Sequence, residues 1–587
     1  MAIDYQKIRK HVFTRAEKMF AAFDRRKDIL LEVAREWYPL GVPGLELGVE
    51  QIADGWKFDD EHRMLTTLPL QLLRKSASGF LSNMMSPARP WFDFQLSGGS
   101  NADHDQLLAL ANFKNQTQTA FQRSNAYVQG YKLFEHLLWA GFGCMIVSET
   151  DNGGVNCQTL RIGTYALDID DSTGRVNRVA RRFAWTADKI LEVFTQEWTP
   201  DYVKEMAKRG DTKRIEIWNL IEPNPHGFSR KFDPLEKDGE NIFDESLAYR
   251  SVYLVKGAGS KDRKGGEKFG LLKLTGFRHN PIIAPRLDYE QGDVYGIGRC
   301  MDGNYQAKGA QTFKGDELRI EGIRAQQPVV ATPDLKNRIQ LGRKGITIVK
   351  SGDQAKDRVV PVFSNLPDSS DARQNYAETK AELESLLFVD AFAVIDAQKN
   401  NPGVKTATEI EYLKTENLGK LGAIYINLSG EMFDPLVKTL ASYAYDGPGV
   451  SENDKKILQE SGVLNGFEVE YVSQIALAQK AGALSSVQQY IQFCGNLAAM
   501  KPNAVDNPID NLDTDKTLRM VGRMLNVPED VNKDEKEIKK GRAALAEQIA
   551  SQQRAAQEAQ FVEAAKSIGA IPIDKAHVGG MIAEGLK

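Results

Sequence analysis

Two long stretches of helical periodicity flank the segment DAQKNNPGVKTATEI, Asp396–Ile410, and they constrain the fold more than any other feature of the chain. Over residues 368–395, Tyr376, Leu383, Leu387, Ala391 and Val394 recur at spacings of seven, four, four and three, and Asp368 is placed to cap the helix start. Beyond the segment, Thr406 and Glu409 fit a capping box. Ile410, Leu413, Leu421, Ile424, Leu428, Met432 and Leu436 then form a second stripe, which Pro435 should kink near its end. At the rise of an α-helix each stretch reaches about 40 Å or more, so these helices are struts that a small domain could not enclose. The polar centre of the connecting loop, Asn400-Asn401-Pro402-Gly403 with Lys399 and Lys405 at its sides, reads as exposed turn chemistry.

At 587 residues, with 42% hydrophobic and 26% charged residues, the chain has the composition of a soluble protein with several structural units. A net charge of -4 excludes a generally basic protein that coats nucleic acid by neutralising phosphates. Cys144, Cys157, Cys300 and Cys494 are too widely spaced for a zinc site and too few for a disulfide scaffold. The N-terminus carries no signal-peptide core, and the longest apolar run, Leu137–Val147, falls short of the roughly 20 residues that cross a bilayer.

Along the chain, residues 6–38 read as an amphipathic helical pair, 66–85 as a helix, ARPWFDFQL as a strand, and 102–140 as one helix followed by a buried strand through Val147. Residues 145–290 are β-rich, with turns at DNGG, DDSTG and EPNPHG and a basic loop, Lys256–Lys268, that reads as a solvated hairpin tip. A polar helix follows over 299–326, then a β-containing insert over 327–367. FEVEYV, Phe467–Val472, reads as a short strand. Residues 533–567 form a long helix with a thin apolar stripe, suited to packing on neighbouring subunits or to remaining solvated. The fold class expected is α+β, mainly helical.

Chemistry has little to stand on. There is no GxxxxGK[ST], no dinucleotide fingerprint, no GxSxG and no HExxH. Asp168, Asp170, Asp171 and Gly174 look like a calcium loop, but the twelfth position from Asp168 is Val179, so DDSTG reads as a hairpin turn. His136 reads as a packed ring, and Met84, Met85, Trp91, Phe92 and Phe94 as core. No metal, cofactor or catalytic residue is assigned.

Four stretches nonetheless carry a resemblance: GFLSNMMSPARPWFDFQL (79–96), YVQGYKLFEHLLWAGFGCMIVSE (127–149), PRLDYEQGDVYGIGRC (285–300) and TATEIEYLKTENLGKLGAIYINLSGEMFDPLVKTL (406–440). In their order and spacing the chain resembles the portal proteins, or head-to-tail connectors, of short-tailed double-stranded DNA bacteriophages. The resemblance implies a dodecameric ring around a DNA channel, with wing, stem helices, clip and crown. On this sequence it implies a wing over 1–290, a first stem helix at 295–326, a clip at 327–367 and a second stem helix at 368–395. A tunnel loop at 396–405, a kinked wing helix at 406–447, and a crown with a helical tail at 448–587 complete the assignment.

It further implies DNA-proximal roles for Lys399, Asn400, Asn401 and Lys405, and a channel wall carrying Asp316, Glu317, Glu321, Glu378, Glu382 and Glu384, on which a polyanion slides instead of sticking. The implied partners are further copies of the chain, major capsid and scaffolding proteins, the terminase packaging motor, a tail adaptor and double-stranded DNA without sequence preference, with no membrane. The implied location is the capsid portal vertex of the virion, after synthesis in the host bacterial cytoplasm. Two other readings stay open: a different head–tail structural component, or an enzyme with a noncanonical site in 145–290.

Overall fold

The computed structural model describes residues 4–50, 64–96, 104–150, 154–225, 246–258, 268–325, 329–331, 359–361, 368–392, 421–460, 467–471, 487, 489–496, 514–524 and 535–567. The chain divides into two compact units, one of residues 1–100 and 112–485, the other of residues 101–111 and 486–587.

The first unit opens with helices α1 (Tyr5–Asp24), α2 (Lys27–Trp37), α3 (Val42–Leu47) and α4 (Leu68–Met84). The Asp4 side chain caps α1 by accepting from the Lys7 backbone N–H. Ile8, Val12, Ala16, Met19, Phe20 and Phe23 bury one helical face. Strand β1 (Phe92–Leu96) follows, then α5 (His104–Arg123), which belongs to this unit from residue 112 on, and α6 (Ala126–Ala140). The expected single helix over 102–140 is therefore two helices. Asn125 breaks it: its side-chain amide donates to the Cys157 carbonyl at 2.9 Å while its carbonyl accepts from the Cys157 N–H at 2.8 Å, so one side chain stands in for a neighbouring strand.

Strands β2 (Met145–Glu149) and β3 (Val155–Thr159) pair in a three-stranded sheet completed by β9 (Ile282–Ile283). Between them in sequence, β4 (Tyr165–Ile169), β5 (Val176–Trp185), β6 (Ile215–Pro223), β7 (Tyr249–Val255) and β8 (Leu271–Phe277) form an antiparallel meander in chain order. The DDSTG stretch is the β4–β5 turn, as expected. Asp170 accepts from the hydroxyls of Ser172 and Thr173, and Gly174 holds a left-handed φ of 66°.

Two faces of this sheet are covered. Helices α7 (Ala187–Val193) and α8 (Asp201–Lys208) pack on one, burying Phe183, Ile190, Val203, Ile217 and Val255 together. Helix α1 covers the other, where Phe13 stacks on Trp218 at 4.9 Å and the Arg182 guanidinium lies over Phe20. The remaining elements of the first unit are α9 (Arg299–Asp302), α10 (Asn304–Ala325), β10 (Val329–Ala331), β11 (Val359–Pro361), α11 (Ser370–Leu386), α12 (Asp434–Asp446), α13 (Glu452–Glu460) and β12 (Phe467–Tyr471). Strand β12 pairs with β1 across most of the sequence, and Trp91, Phe92 and Phe94 are buried, as core residues should be. Burial likewise holds the His136 ring neutral, pushing its pKa down to about 3.

Helix α11 is shorter than its sequence pattern suggests. It ends at Leu386, giving about 25 Å, because Phe388 adopts a positive φ of 59°. Contacts with α4 hold that break: the Ser76 hydroxyl donates to the Leu387 carbonyl at 2.6 Å, and Phe388 and Phe392 meet Phe80 edge-on. The cap position is Ser369, not Asp368. Asp368 instead accepts from Ser370 and, across the hairpin, from Arg324. In the later helix a π-helical turn, Ser429–Phe433, precedes α12, so the irregularity lies before Pro435, which sits in the first turn of α12 where a missing N–H costs nothing. Thr406, Glu409, Ile410 and Leu413 lie outside the described residues, as does most of the basic loop 256–268.

The second unit contains α14 (Thr514–Met524) and α15 (Glu535–Ser567). Helix α15 runs about 50 Å. It is exposed along its middle, including Leu545 and Ile549, and Arg542 forks onto both oxygens of Asp515.

One buried charge ties α1 to the meander. Glu222 on β6 accepts from Arg250 at 2.8 Å, from Arg15 at 3.1 Å and contacts His11 at 3.1 Å. Burial alone would raise its pKa, but the His11 hydrogen bond and the charges of Arg250, His11 and Arg15 more than offset that and hold it at about 2. Because the folded value lies below the ordinary 4.5, the cluster stabilises the fold fully above pH 4.5 and loses that contribution as pH falls toward 2. The contribution is about 3 kcal/mol. Thermal unfolding followed from pH 6 to 2 should show a steep loss between pH 4.5 and 2 that is blunted in Glu222→Gln; an equally steep loss in that variant would place the acid sensitivity elsewhere.

Candidate functional site

The β-containing insert interrupts a helical hairpin, and that hairpin is the feature most unlike an ordinary domain. Helices α10 and α11 pack side by side, and β10 and β11 begin and end the insert as an antiparallel pair with Val330 opposite Val360. At the base the contact is apolar. Ala307, Ala310 and Leu383 are buried, and a Cβ at Gly303 would lie 2.5 Å from the Leu386 side chain and 3.3 Å from that of Leu383. The base is also laced by polar bonds: Gln311 exchanges two hydrogen bonds with the Thr66 backbone, and the Thr66 hydroxyl meets the Tyr376 hydroxyl at 3.0 Å.

Further out the contact becomes ionic. Arg373 on α11 donates to Glu317 at 3.0 Å and to Glu321 at 2.8 Å on α10. Lys314 also donates to Glu317, Ser369 donates to Glu321, and Arg324 donates to Asp368 at 2.8 Å. Hydrogen bonds from Lys314 and Arg373 hold the Glu317 carboxyl below its ordinary range. The spacing that permits this is simple: Glu317 and Glu321, four apart, share a helical face, and one arginine opposite can reach both.

The acidic residues singled out from sequence therefore divide. Glu317 and Glu321 are turned to the partner helix and neutralised there. Asp316 pairs with Arg319 at 3.5 Å, Glu384 with Lys380 at 3.9 Å, and Glu378 accepts from Gln374, all within their own helix; Glu382 is exposed. Lys399, Asn400, Asn401 and Lys405 lie outside the described residues. Sequence reading missed Arg373 and Arg324, whose role needs two helices brought together.

Among the described residues, no group of three or more His, Cys, Asp or Glu side chains could hold a metal ion, and no helix is long and apolar enough to cross a membrane. In the 145–290 region, a cleft of about 240 Å³ lies at the β4–β5 turn, against Tyr249, Asn280 and Glu431. Glu431 there is committed to Arg286, which donates to it from its guanidinium and its backbone N–H.

Comparison with known proteins sets this hairpin in context. The chain is 28% identical over 498 residues to the portal protein of Salmonella phage epsilon15, covering 83% of this chain and 82% of that one. It is 25% identical over 528 residues to a probable portal protein of Bordetella phage BPP-1, covering 88% of each. A solved structure titled as the neck of an empty GTA particle is a remote likeness, with 11% identity, a TM-score of 0.29, and coverage of 72% of this chain and 86% of that one. The profile of the family described as bacteriophage head to tail connecting protein matches residues 14–532, which is most of the sequence, and the chain belongs to that family.

Proposed function

We propose that this chain is a portal subunit. Copies of it close into a ring, a dodecamer, at one vertex of a phage capsid, and double-stranded genomic DNA passes through the central channel during packaging and ejection. The observation that carries this is the match to phage portal proteins over 83% and 88% of the chain. The terminase motor docks on the ring during filling and a tail adaptor replaces it, with major capsid and scaffolding proteins around the rim. The chain supplies a structure and not an activity.

In this reading residues 1–290 are the wing, 295–326 and 368–395 the stem, 327–367 the clip, 396–405 the tunnel loop, 406–447 the returning wing helix and 448–587 the crown and tail. The α10–α11 hairpin with a strand pair at its end supports the stem and clip placement. Its acids are largely paired with bases on the hairpin itself, so a stem built this way presents a mixed wall to DNA and would not hold a polyanion tightly. Asp316, Glu378, Glu382 and Glu384 are the candidates for that wall. Lys399 and Lys405 would make transient phosphate contacts from the loop, with Asn400 and Asn401 as neutral donors.

Electron microscopy of the purified protein should show closed rings with a central hole wide enough for duplex DNA; compact particles without a channel, in the presence of capsid and scaffold, would sink the portal reading. With rings in hand, Lys399→Ala combined with Lys405→Ala should leave assembly intact while lowering packaged or retained DNA severalfold. Unchanged packaging in that double variant would remove the loop from the DNA path. Arg373→Ala, which takes away the bridge between Glu317 and Glu321, should lower the unfolding temperature modestly and more at low salt than at high salt. A loss independent of salt would mean that Arg373 acts through packing instead.

A further inference from the structure

Helix α1 carries a basic stripe that neither the hairpin nor the buried Glu222 cluster uses up. Lys7, Lys10, Thr14 and Lys18 follow one another at helical spacings of three and four residues and rim a groove of about 670 Å³ between α1 and strand β4. Of its apolar lining residues, Ala22 is exposed and Val294 half-buried, while Met19 and Leu167 are buried. His11 and Arg15 also border it, but both are committed to Glu222 at 3.1 Å. Lys10 and Lys18 are exposed, and among the described residues neither has an ion-pair partner.

We propose that this groove docks an acidic segment of a partner protein, whose carboxylates meet Lys10 and Lys18 while its apolar side chains settle on Ala22 and Val294. The proposal goes beyond the portal reading and does not depend on it. One feature favours a protein segment over a nucleic-acid backbone. Phosphates would gain from the lysines alone and leave the apolar lining unused, whereas an amphipathic segment uses both. The length fits as well. Lys7 to Lys18 spans about 16 Å along α1, which equals three turns of a docked helix or about five residues of an extended strand.

The test uses the full-length protein and a fluorescein-labelled synthetic peptide of Leu and Glu in amphipathic helical order, about 18 residues long for five turns. Anisotropy should report saturable binding, absent when Lys replaces every Glu in the peptide. Lys10→Glu combined with Lys18→Glu should weaken binding by about tenfold or more, and Val294→Asp should also weaken it. The neutral pair Lys10→Gln with Lys18→Gln, which keeps volume and solubility, should have a smaller effect in the same direction. Circular dichroism and thermal unfolding of each variant guard against misfolding. Binding of a labelled short DNA duplex, but not of the peptide, through these lysines would overturn the proposal in favour of a nucleic-acid surface. Peptide binding indifferent to both lysine pairs, or no binding at all, would overturn it outright.

Discussion

A single buried arginine ties together three distant pieces of the first unit. Arg286 is 1% exposed, yet its donors are met: Nε and one Nη donate to the two oxygens of Glu431, the other Nη reaches the Asp293 carbonyl at 2.5 Å, and the Gly174 carbonyl accepts at 2.9 Å. Its guanidinium also lies 3.6 Å from the centre of the Tyr289 ring. Three pieces far apart in sequence therefore meet on one side chain: the β4–β5 turn, the loop before α9, and the π-helical turn before α12. A buried ion pair is no great source of stability, since desolvating both charges costs nearly what their attraction returns. Its effect is on alternatives. Any arrangement that separates the π turn from the loop strands a buried charge, so the packing of these pieces is specified even where apolar contact alone would tolerate a shift.

The same place explains why a family is readable in a chain without catalytic motifs. Three of the four stretches that carry the resemblance, and the end of the fourth, converge there. Gly141 adopts a positive φ of 82°, and a Cβ on it would lie 2.3 Å from the Ile297 backbone, so residues 138–143 and 296–298 are in backbone contact that only glycine allows. The Leu287 N–H donates to the Gly141 carbonyl at 2.8 Å. Phe433, beside Glu431, meets Trp91 of the first stretch and Phe134 of the second. The glycines and aromatics in these stretches are thus constrained by packing. Met84, Met85 and Trp91 were correctly readable as core from composition for that reason.

What was legible followed from local rules. Period-2 and period-3.6 patterns located α1, α2, α4, β1, β12 and the DDSTG turn, because each buries one face and ends at turn residues. The misses share a cause that no local pattern carries. Asn125 ends a helix because a strand 32 residues away offers it a backbone partner; Phe388 ends another because Phe80 and Ser76 wait on α4. The hairpin acids were readable as charged and helical, but the arginine that neutralises two of them lies more than 50 residues later. Long-range partners decide such positions, and a stripe of apolar residues cannot announce them.

The hairpin itself is graded from base to tip, and the gradient has a mechanical meaning. Near Gly303 and Leu383 it is fixed by close apolar packing, where a shift of even part of a side chain opens a void and is costly. Toward Ala325 the two helices are joined by solvent-accessible ion pairs, each worth little and each able to exchange partners among Glu317, Glu321, Arg324, Asp368 and Arg373. Small relative movements of the tip therefore cost far less than the same movements at the base. A hairpin built this way is held firmly at its base while the end that bears the strand pair can adjust without disturbing the core.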